Sequence, residues 1–370
     1  MRNALIVCTS RIGRVFFRQR DLPPAPRAVV VLKPCCLGDV VLATPAIAAL
    51  KRRYPRAALD VAVGQWSRAV LTGNPHIRQL VDCGRVGRGR YTPADVWRLA
   101  ARLRQHRYDL AVTLDRSPLV GLVPWLAGIP HRLGLDSAGR GFAHTVRVPV
   151  PPQPRHEALL YLDCVSATGI ETVDDAAPRF WSACFPSPGD AANLPPLPGG
   201  SLVILHPAGG VNPGMKLLDK RWPCDRFAAL GHRLAQTGRQ VIITGTGDDL
   251  PLAQKIASGI APSPIILAGA LTLGQFGALC RQADLFVGGD TGAMHLAVAA
   301  GCKTVAIFGP TNPRRYGPFA PPGQATAVWR TVPLPPGGVG QGQAPPFDWH
   351  NGASVDEVWA ACRRLLGESE

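Results

Sequence analysis

From Ala28 onward the chain alternates short apolar runs with longer helix-like stretches, and it does so twice. In the first half Val29–Leu32 predicts a buried strand, a turn over Pro34–Asp39 ends it, and a helix follows to about Arg53. Further strands are expected at Leu59–Val63, Gln79–Asp82 and Asp109–Leu114, with helices at Trp66–Leu71 and Ala94–Gln105. The stretch Pro186–Gly200 (PSPGDAANLPPLPGG) reads as a linker by composition. The pattern then restarts, with strands at Ser201–Leu205, Gln240–Thr244, Pro264–Leu267, Leu285–Gly288 and Thr304–Phe308. Helices are expected between them at Cys224–Gln236, Leu250–Ser258, Leu273–Arg281 and Ala293–Ala300, and a last one at Val355–Leu366. Parallel neighbours need crossovers, so this alternation predicts mostly parallel sheets with helices on both faces. At 370 residues the chain is long enough for two such α/β domains. Their facing carboxyl ends would place ligands in a cleft.

Charge separates the two halves. Of 40 Lys and Arg and 25 Asp and Glu, residues 1–180 hold 26 and 13, while residues 181–370 hold 14 and 12. An excess confined to the first half points to an anionic partner there, or to a solubilising surface. The N-terminus, MRNALIVCTSRIGRVFFRQR, has no apolar run beyond Ala4–Cys8, too short for a signal-peptide core, and no stretch approaches a membrane span. As a helix this segment would set Leu5, Ile12, Val15 and Phe16 on one side with arginines at the margins, as at a membrane interface; a frayed basic tail fits equally.

The ten cysteines include no CxxC pair and no metal-ligand spacing, so they read as reduced thiols, several of them in apolar surroundings. Cys35 and Cys36 are adjacent, which argues against their pairing with each other.

Four post-strand segments carry chemistry. In Leu32-Lys33-Pro34-Cys35-Cys36-Leu37-Gly38-Asp39 a carboxylate stands where a helix begins. There the helix dipole favours the anion, and Asp39 is either a general base or a helix cap. His206-Pro207-Ala208-Gly209-Gly210, with Lys216, Lys220 and Arg221 after it, lets backbone N–H groups approach a phosphate, although a plain loop reads as well. It lacks the GK[ST] ending of a Walker A loop. Gly288-Gly289-Asp290-Thr291-Gly292-Ala293-Met294-His295 opens a helix with small residues and one hydroxyl, with His295 one turn beyond Thr291. Phe308-Gly309-Pro310-Thr311-Asn312-Pro313 is a further turn beside it.

Taken together these segments resemble glycosyltransferase family 9, the lipopolysaccharide heptosyltransferases. The matching pieces are CCLGDVVLATPAIAALKRRYP, WSRAVLTGNPH, LDRSPLVGLVPWLAG, HPAGG followed by KRWP, VIITGTGDD, ADLFVGGDTGAMHLAVAAG and FGPTNPRRYGP. Their order spans roughly residues 28–330. One departure is Cys36, where the family more often has serine. The resemblance implies an α/β, GT-B fold of two Rossmann-like domains. A basic segment 1–27 would precede an acceptor domain at 28–185, a linker at 186–200 and a nucleotide-sugar domain at 201–330. A Pro/Gly-rich loop at 331–352 and a helix within 353–370, crossing back to the first domain, would complete it.

It also implies an inverting, metal-independent transfer from an ADP-sugar such as ADP-heptose to a lipid-linked saccharide, without a cofactor. Asp39 would be the base and Lys220 would meet the diphosphate charge. Gly209, Gly210, Thr291 and Gly292 would hold phosphate oxygens, and Asp249 the ribose, with Asp248 the next candidate. Asp290 and His295 would position the donor, Leu271 would touch adenine, and Arg68 and Arg116 would bind acceptor anions. The setting would be cytoplasmic, on the anionic inner face of the inner membrane.

A non-catalytic nucleotide-sugar or lipid-surface module is the alternative, and it predicts loss of Asp39 or Lys220; both are present. A dinucleotide oxidoreductase would need GxGxxG after the first strand, where only Gly38 stands. Nucleic-acid binding would need aromatics interleaved with the basic residues, and Trp66, Trp97 and Trp125 fall instead in predicted helices.

Overall fold

The computed structural model describes residues 17–89, 91–171, 188–212, 214–332 and 347–368. Residues 1–16, most of the expected basic segment, and 333–346, most of the expected Pro/Gly-rich loop, lie outside these. The chain divides into two compact units, Met1–Phe180 and Trp181–Glu370.

The first unit is built on a sheet of six parallel strands, β1 (Ala28–Leu32), β2 (Ala58–Val63), β3 (Gln79–Asp82), β4 (Leu110–Thr113), β5 (His131–Asp136) and β6 (Val146–Pro149). Their order across the sheet is β3-β2-β1-β4-β5-β6. Between them run α1 (Leu37–Arg53), the short α2 (Gln65–Arg68), α3 (Pro93–Arg104) and α4 (Pro118–Leu126), and α5 (Glu157–Ser166) follows β6. Central β1 is apolar throughout because both faces are covered, as in other all-parallel sheets. Helix α1 is buried continuously from Val40 to Leu50 and packs against α5, so it shows little amphipathic periodicity. Helix α3 begins in a reciprocal cap between Thr92 and Asp95.

The second unit repeats the plan. Strands β7 (Leu202–His206), β10 (Gln240–Ile243), β11 (Ile265–Ile266), β12 (Leu285–Gly289), β13 (Thr304–Phe308) and β14 (Ala325–Trp329) form a parallel sheet in the order β11-β10-β7-β12-β13-β14. A small antiparallel hairpin, β8 (Val211–Asn212) with β9 (Met215–Lys216), follows β7. The helices are α6 (Pro188–Ala192), α7 (Cys224–Gln236), α8 (Leu250–Ala257), α9 (Leu273–Gln282), α10 (Gly292–Ala299), α11 (Pro313–Tyr316) and α12 (Val355–Leu366). In both sheets the strand order reverses between the sheet's first and fourth strands in chain order, and the loops leaving those two strands frame the crevice where such sheets bind ligands.

Three details bear on these expectations. The stretch read as a linker contains α6, which packs on α9, and the Gln275 side chain donates to Asn193 O at 2.5 Å. Helix α12, expected to cross back, sets Val358, Ala361, Cys362 and Leu365 into the second unit's own core beside α7. The three tryptophans of the basic half do lie on helices, but each is about half exposed (Trp66 52%, Trp97 58%, Trp125 48%).

The strands β5 and β6 carried no periodic signal. His131, Arg132 and Gly134 interrupt β5, and only tertiary contacts satisfy them. The buried Arg132 guanidinium donates to Ile129 O, Pro130 O and Ala143 O. Gly134 leaves room for His144, whose ring nitrogen would lie 2.4 Å from an added Cβ. His144 is 1% exposed, and its Nδ1 has no hydrogen-bond partner. Burial, reinforced by the Arg132 charge, lowers its pKa from 6.5 to about 4.

The unfolded chain protonates His144 below pH 6.5 while the folded chain keeps it neutral down to about 4. Stability is therefore lost as pH falls through that window, by roughly 3 kcal/mol from this group at its acid end. His144→Leu should flatten this acid limb, so denaturant unfolding at pH 7 and pH 4.5 should differ less in the variant than in the parent.

Candidate functional site

In the first unit the reversal falls between β1 and β4. Lys33 leaves β1 with its N–H bonded to Ala62 O, and its side chain is buried. Its Nζ lies 3.2 Å from Asp39 Oδ2, 3.9 Å from Asp115 Oδ2 and 5.7 Å from the centre of the Tyr161 ring. Burial alone would disfavour the ammonium, but Asp39, with Tyr161 and Asp115, holds its pKa well above the ordinary value. Tyr161 is pushed up by burial and by Asp39, so it stays neutral.

Asp39 is not the helix cap. Cys36 occupies that position without a side-chain cap bond, and Asp39 sits in the first turn of α1 with its side chain 32% exposed. A carboxylate is favoured there by the free N–H groups of the helix start, and it can still reach a substrate hydroxyl. Asp115, just past β4, accepts from Ser117 N at 2.7 Å.

Lys33 and Asp115 were not singled out from the sequence. Their signal is positional, since each follows a strand that borders the reversal. Arg116 is ion-paired with Glu157, and Arg68 donates to Leu80 O at 3.1 Å, so both expected acceptor arginines have partners within the unit.

Adjacent cysteines were read as poor partners for each other. Both are free thiols, and their Sγ atoms lie in hydrogen-bond contact 2.7 Å apart.

In the second unit the corresponding loops leave β7 and β12, and they touch. Gly209 has φ +112° and Gly210 +74°, conformations that side chains rarely adopt. A Cβ on Gly209 would lie 2.1 Å from Thr291 Cγ2, and one on Gly210 would lie 2.2 Å from Leu217 O. The chain passes through the β8–β9 hairpin, returns with Leu217 N bonded to Gly210 O, and makes a single turn over Leu218–Lys220. That turn delivers Lys220 Nζ to 2.5 Å from Asp290 Oδ2, with the side chains 18% and 8% exposed. Thr291 caps α10, its hydroxyl oxygen accepting from Met294 N at 3.3 Å. Gly292 opens the helix, and His295 is buried one turn on.

Two further residues close the turn. Arg221 Nε donates to Gly209 O at 2.9 Å and Nη2 to Asp249 Oδ1 at 2.8 Å. The other Asp249 oxygen accepts from Thr246 N and Oγ1 at 3.0 and 2.6 Å. Asp249 thus fastens its own turn with both oxygens, while its neighbour Asp248 is exposed. Leu271 is half-buried just before the α9 cap, Thr272. His206 is held neutral, its Nδ1 3.0 Å from Thr244 Oγ1 and its pKa lowered to about 4 by burial. The fourth segment is structural: Gly309 makes room for Trp349, whose indole N–H donates to Asp219 O at 3.0 Å. Among the described residues no three His, Cys, Asp or Glu side chains gather as a metal site.

Two doubly wound parallel sheets in one chain, each with charged side chains on the turns at its reversal, give the architecture of the GT-B fold, and solved structures share it. A family 9 glycosyltransferase from Veillonella parvula matches with a TM-score of 0.74 at 21% identity, over 95% of this chain and all of that one. ADP-heptose lps heptosyltransferase II of E. coli matches with a TM-score of 0.69 at 23% identity, over 92% and 98%. In sequence, lipopolysaccharide heptosyltransferase 2 of Escherichia coli is 30% identical over 306 residues, 80% of this chain and 85% of the relative. Lipooligosaccharide heptosyltransferase 2 of Haemophilus influenzae is 26% identical over 305 residues, 79% and 86%. The model of glycosyltransferase family 9 (heptosyltransferase) matches residues 96–334. The chain belongs to that family.

Gly209→Ala should destabilise the second unit by about 2 kcal/mol, through its positive φ and the Thr291 methyl. In a Thr291→Ser background, which lacks that methyl, the penalty should shrink. A double-mutant cycle from thermal unfolding reads the difference, and equal penalties would remove the Gly209–Thr291 contact from the site.

Proposed function

We propose that this protein transfers a heptose from ADP-heptose to a lipid-linked, anionic saccharide of the lipopolysaccharide core type, with inversion at the transferred carbon. The observation that carries the reading is the Lys220–Asp290 ion pair beside the Gly209–Thr291 contact, in a chain of the heptosyltransferase family. A cation already held beside glycine-rich turns and a helix start suits a diphosphate leaving group.

In this scheme Asp39 accepts the proton of an acceptor hydroxyl as its oxygen bonds to the anomeric carbon. The bond from that carbon to the diphosphate breaks, and ADP leaves with its charge met by Lys220. Direct displacement by a single nucleophile inverts the centre. Lys33 fixes the Asp39 carboxylate through their 3.2 Å contact. Lys220 exchanges Asp290 for the diphosphate, and Asp290 and His295 then position the donor. Backbone groups of Gly209, Gly210, Thr291 and Gly292 hold phosphate oxygens, and Leu271 borders the adenine. We assign the ribose to the exposed Asp248, because both oxygens of Asp249 are engaged within the chain. Arg68 and Arg116 meet acceptor anions. The charge on Lys220 does the work a divalent cation would do, so no metal is assigned to the reaction.

The excess of 13 positive charges in residues 1–180 (26 against 13) and the exposed Trp66, Trp97 and Trp125 support work at an anionic inner-membrane surface, on its cytoplasmic face. No described helix is long and apolar enough to cross a membrane.

Asp39→Ala should lower ADP release from ADP-heptose in the presence of acceptor by about two orders of magnitude or more, with ADP affinity retained in calorimetry. Lys220→Ala should weaken ADP binding about tenfold or more, roughly 1.4 kcal/mol. Full turnover in the first variant, or unchanged affinity in the second, rules out the assigned role. An NMR coupling constant across the new linkage reads the stereochemistry, and transfer measured in EDTA tests the metal assignment.

A further inference from the structure

The turn that presents Asp39 also carries two thiols that the transfer scheme does not use. Cys35 and Cys36 are both partly exposed, with Sγ atoms 2.7 Å apart. Their surroundings make them unequal. The hydrogen bond from Cys36 lowers the Cys35 pKa against the opposing effect of burial, and the Lys33 ammonium assists. The same hydrogen bond and burial raise that of Cys36. Cys35 is thus the more readily ionised of the two, with the Cys36 thiol in contact with it. The other thiols with a resolved shift, Cys83, Cys164, Cys280, Cys302 and Cys362, are buried and pushed up by burial, which keeps them inert.

We infer that Cys35 and Cys36 form an oxidisable dithiol, a site for small two-electron oxidants of the peroxide class, and that its closure to a disulfide disables the turn bearing Asp39. The Cys35 thiolate attacks one peroxide oxygen and forms a sulfenic acid; the O–O bond breaks and the departing hydroxide takes a proton to leave as water. The Cys36 sulfur then attacks the sulfenic sulfur, an S–S bond forms, and the hydroxyl leaves with the Cys36 proton as a second water. Two thiols and one peroxide give one disulfide and two waters, and a dithiol reductant reverses the change.

The closure is short, from 2.7 Å to the roughly 2 Å of a disulfide. It acts on the catalytic turn because Cys36 O accepts the first-turn bond from Val40 N at 2.9 Å, and Asp39 lies within that turn. Locking Cys36 to Cys35 therefore shifts the first turn of α1, and with it the Asp39–Lys33 contact.

The full-length protein is treated with hydrogen peroxide, alkylated under denaturing conditions and mapped by mass spectrometry. The peptide holding both residues should be two hydrogens lighter and take no alkyl group, and dithiothreitol should restore both sites. Alkylation of both thiols after peroxide, or a bond from either to another cysteine, overturns the site. In parallel, peroxide should lower transfer at least tenfold, reversibly, in the parent but not in Cys36→Ser. Disulfide formation without loss of transfer, or equal loss in Cys36→Ser, overturns the link to Asp39. The activity arm rests on the transferase reading. Failure of that reading would show as no ADP release from untreated protein, and the mass result would stand independently.

Discussion

The winding of the two parallel sheets is the constraint on which everything else rests. Parallel strands need crossovers, and a crossover between parallel strands keeps one hand. When the chain winds outward from a central strand and then returns to wind the other way, the loops leaving the two central strands part toward opposite faces. The gap lies between β1 and β4 in the first unit and between β7 and β12 in the second. Lys33, Asp39 and Asp115 stand on the first pair of loops, and Gly209, Lys220, Asp290 and Thr291 on the second. Residues more than 60 positions apart in the chain become neighbours for no other reason than strand order.

At both reversals a largely buried lysine is paired with aspartate. Removing an ammonium from water is costly, and only close carboxylates offset the loss. In the first unit the pairing serves the carboxylate, since Lys33 is almost inaccessible while Asp39 remains partly open. In the second the exposures are reversed: Lys220 is the more open member and Asp290 the more buried. One fold thus presents a carboxylate at one turn and an ammonium at the other by changing which partner faces outward.

Much of this was legible in the chain. The post-strand turns around Asp39, Gly209 and Thr291 fall where the apolar runs ended, because a strand buried on both faces is a continuous apolar run and its end is unmistakable. Elements satisfied only from a distance escaped. Strand β5 holds a buried arginine whose partners are backbone carbonyls as far away as Ala143, and a glycine whose purpose is a histidine ten residues on. The edge strand β14 is only partly buried along its whole length and lacks the fully buried apolar run of a central strand. The Asp249 carboxylate accepts hydrogen bonds from Thr246 and from Arg221, the latter 28 positions away in the chain.

What the sequence determined by itself was the alternation, the division in two, the glycine-rich turns and the family. All of these are local patterns, or an order of patterns, along a line. What only the tertiary structure decided was which charges meet. Lys33 lies between two aspartates because β1 and β4 are neighbours, and Lys220 reaches Asp290 because a hairpin folds the loop after β7 back onto the loop after β12. Coulomb energy depends on distances of a few ångströms in a poorly solvated interior, and no reading along the chain supplies those distances.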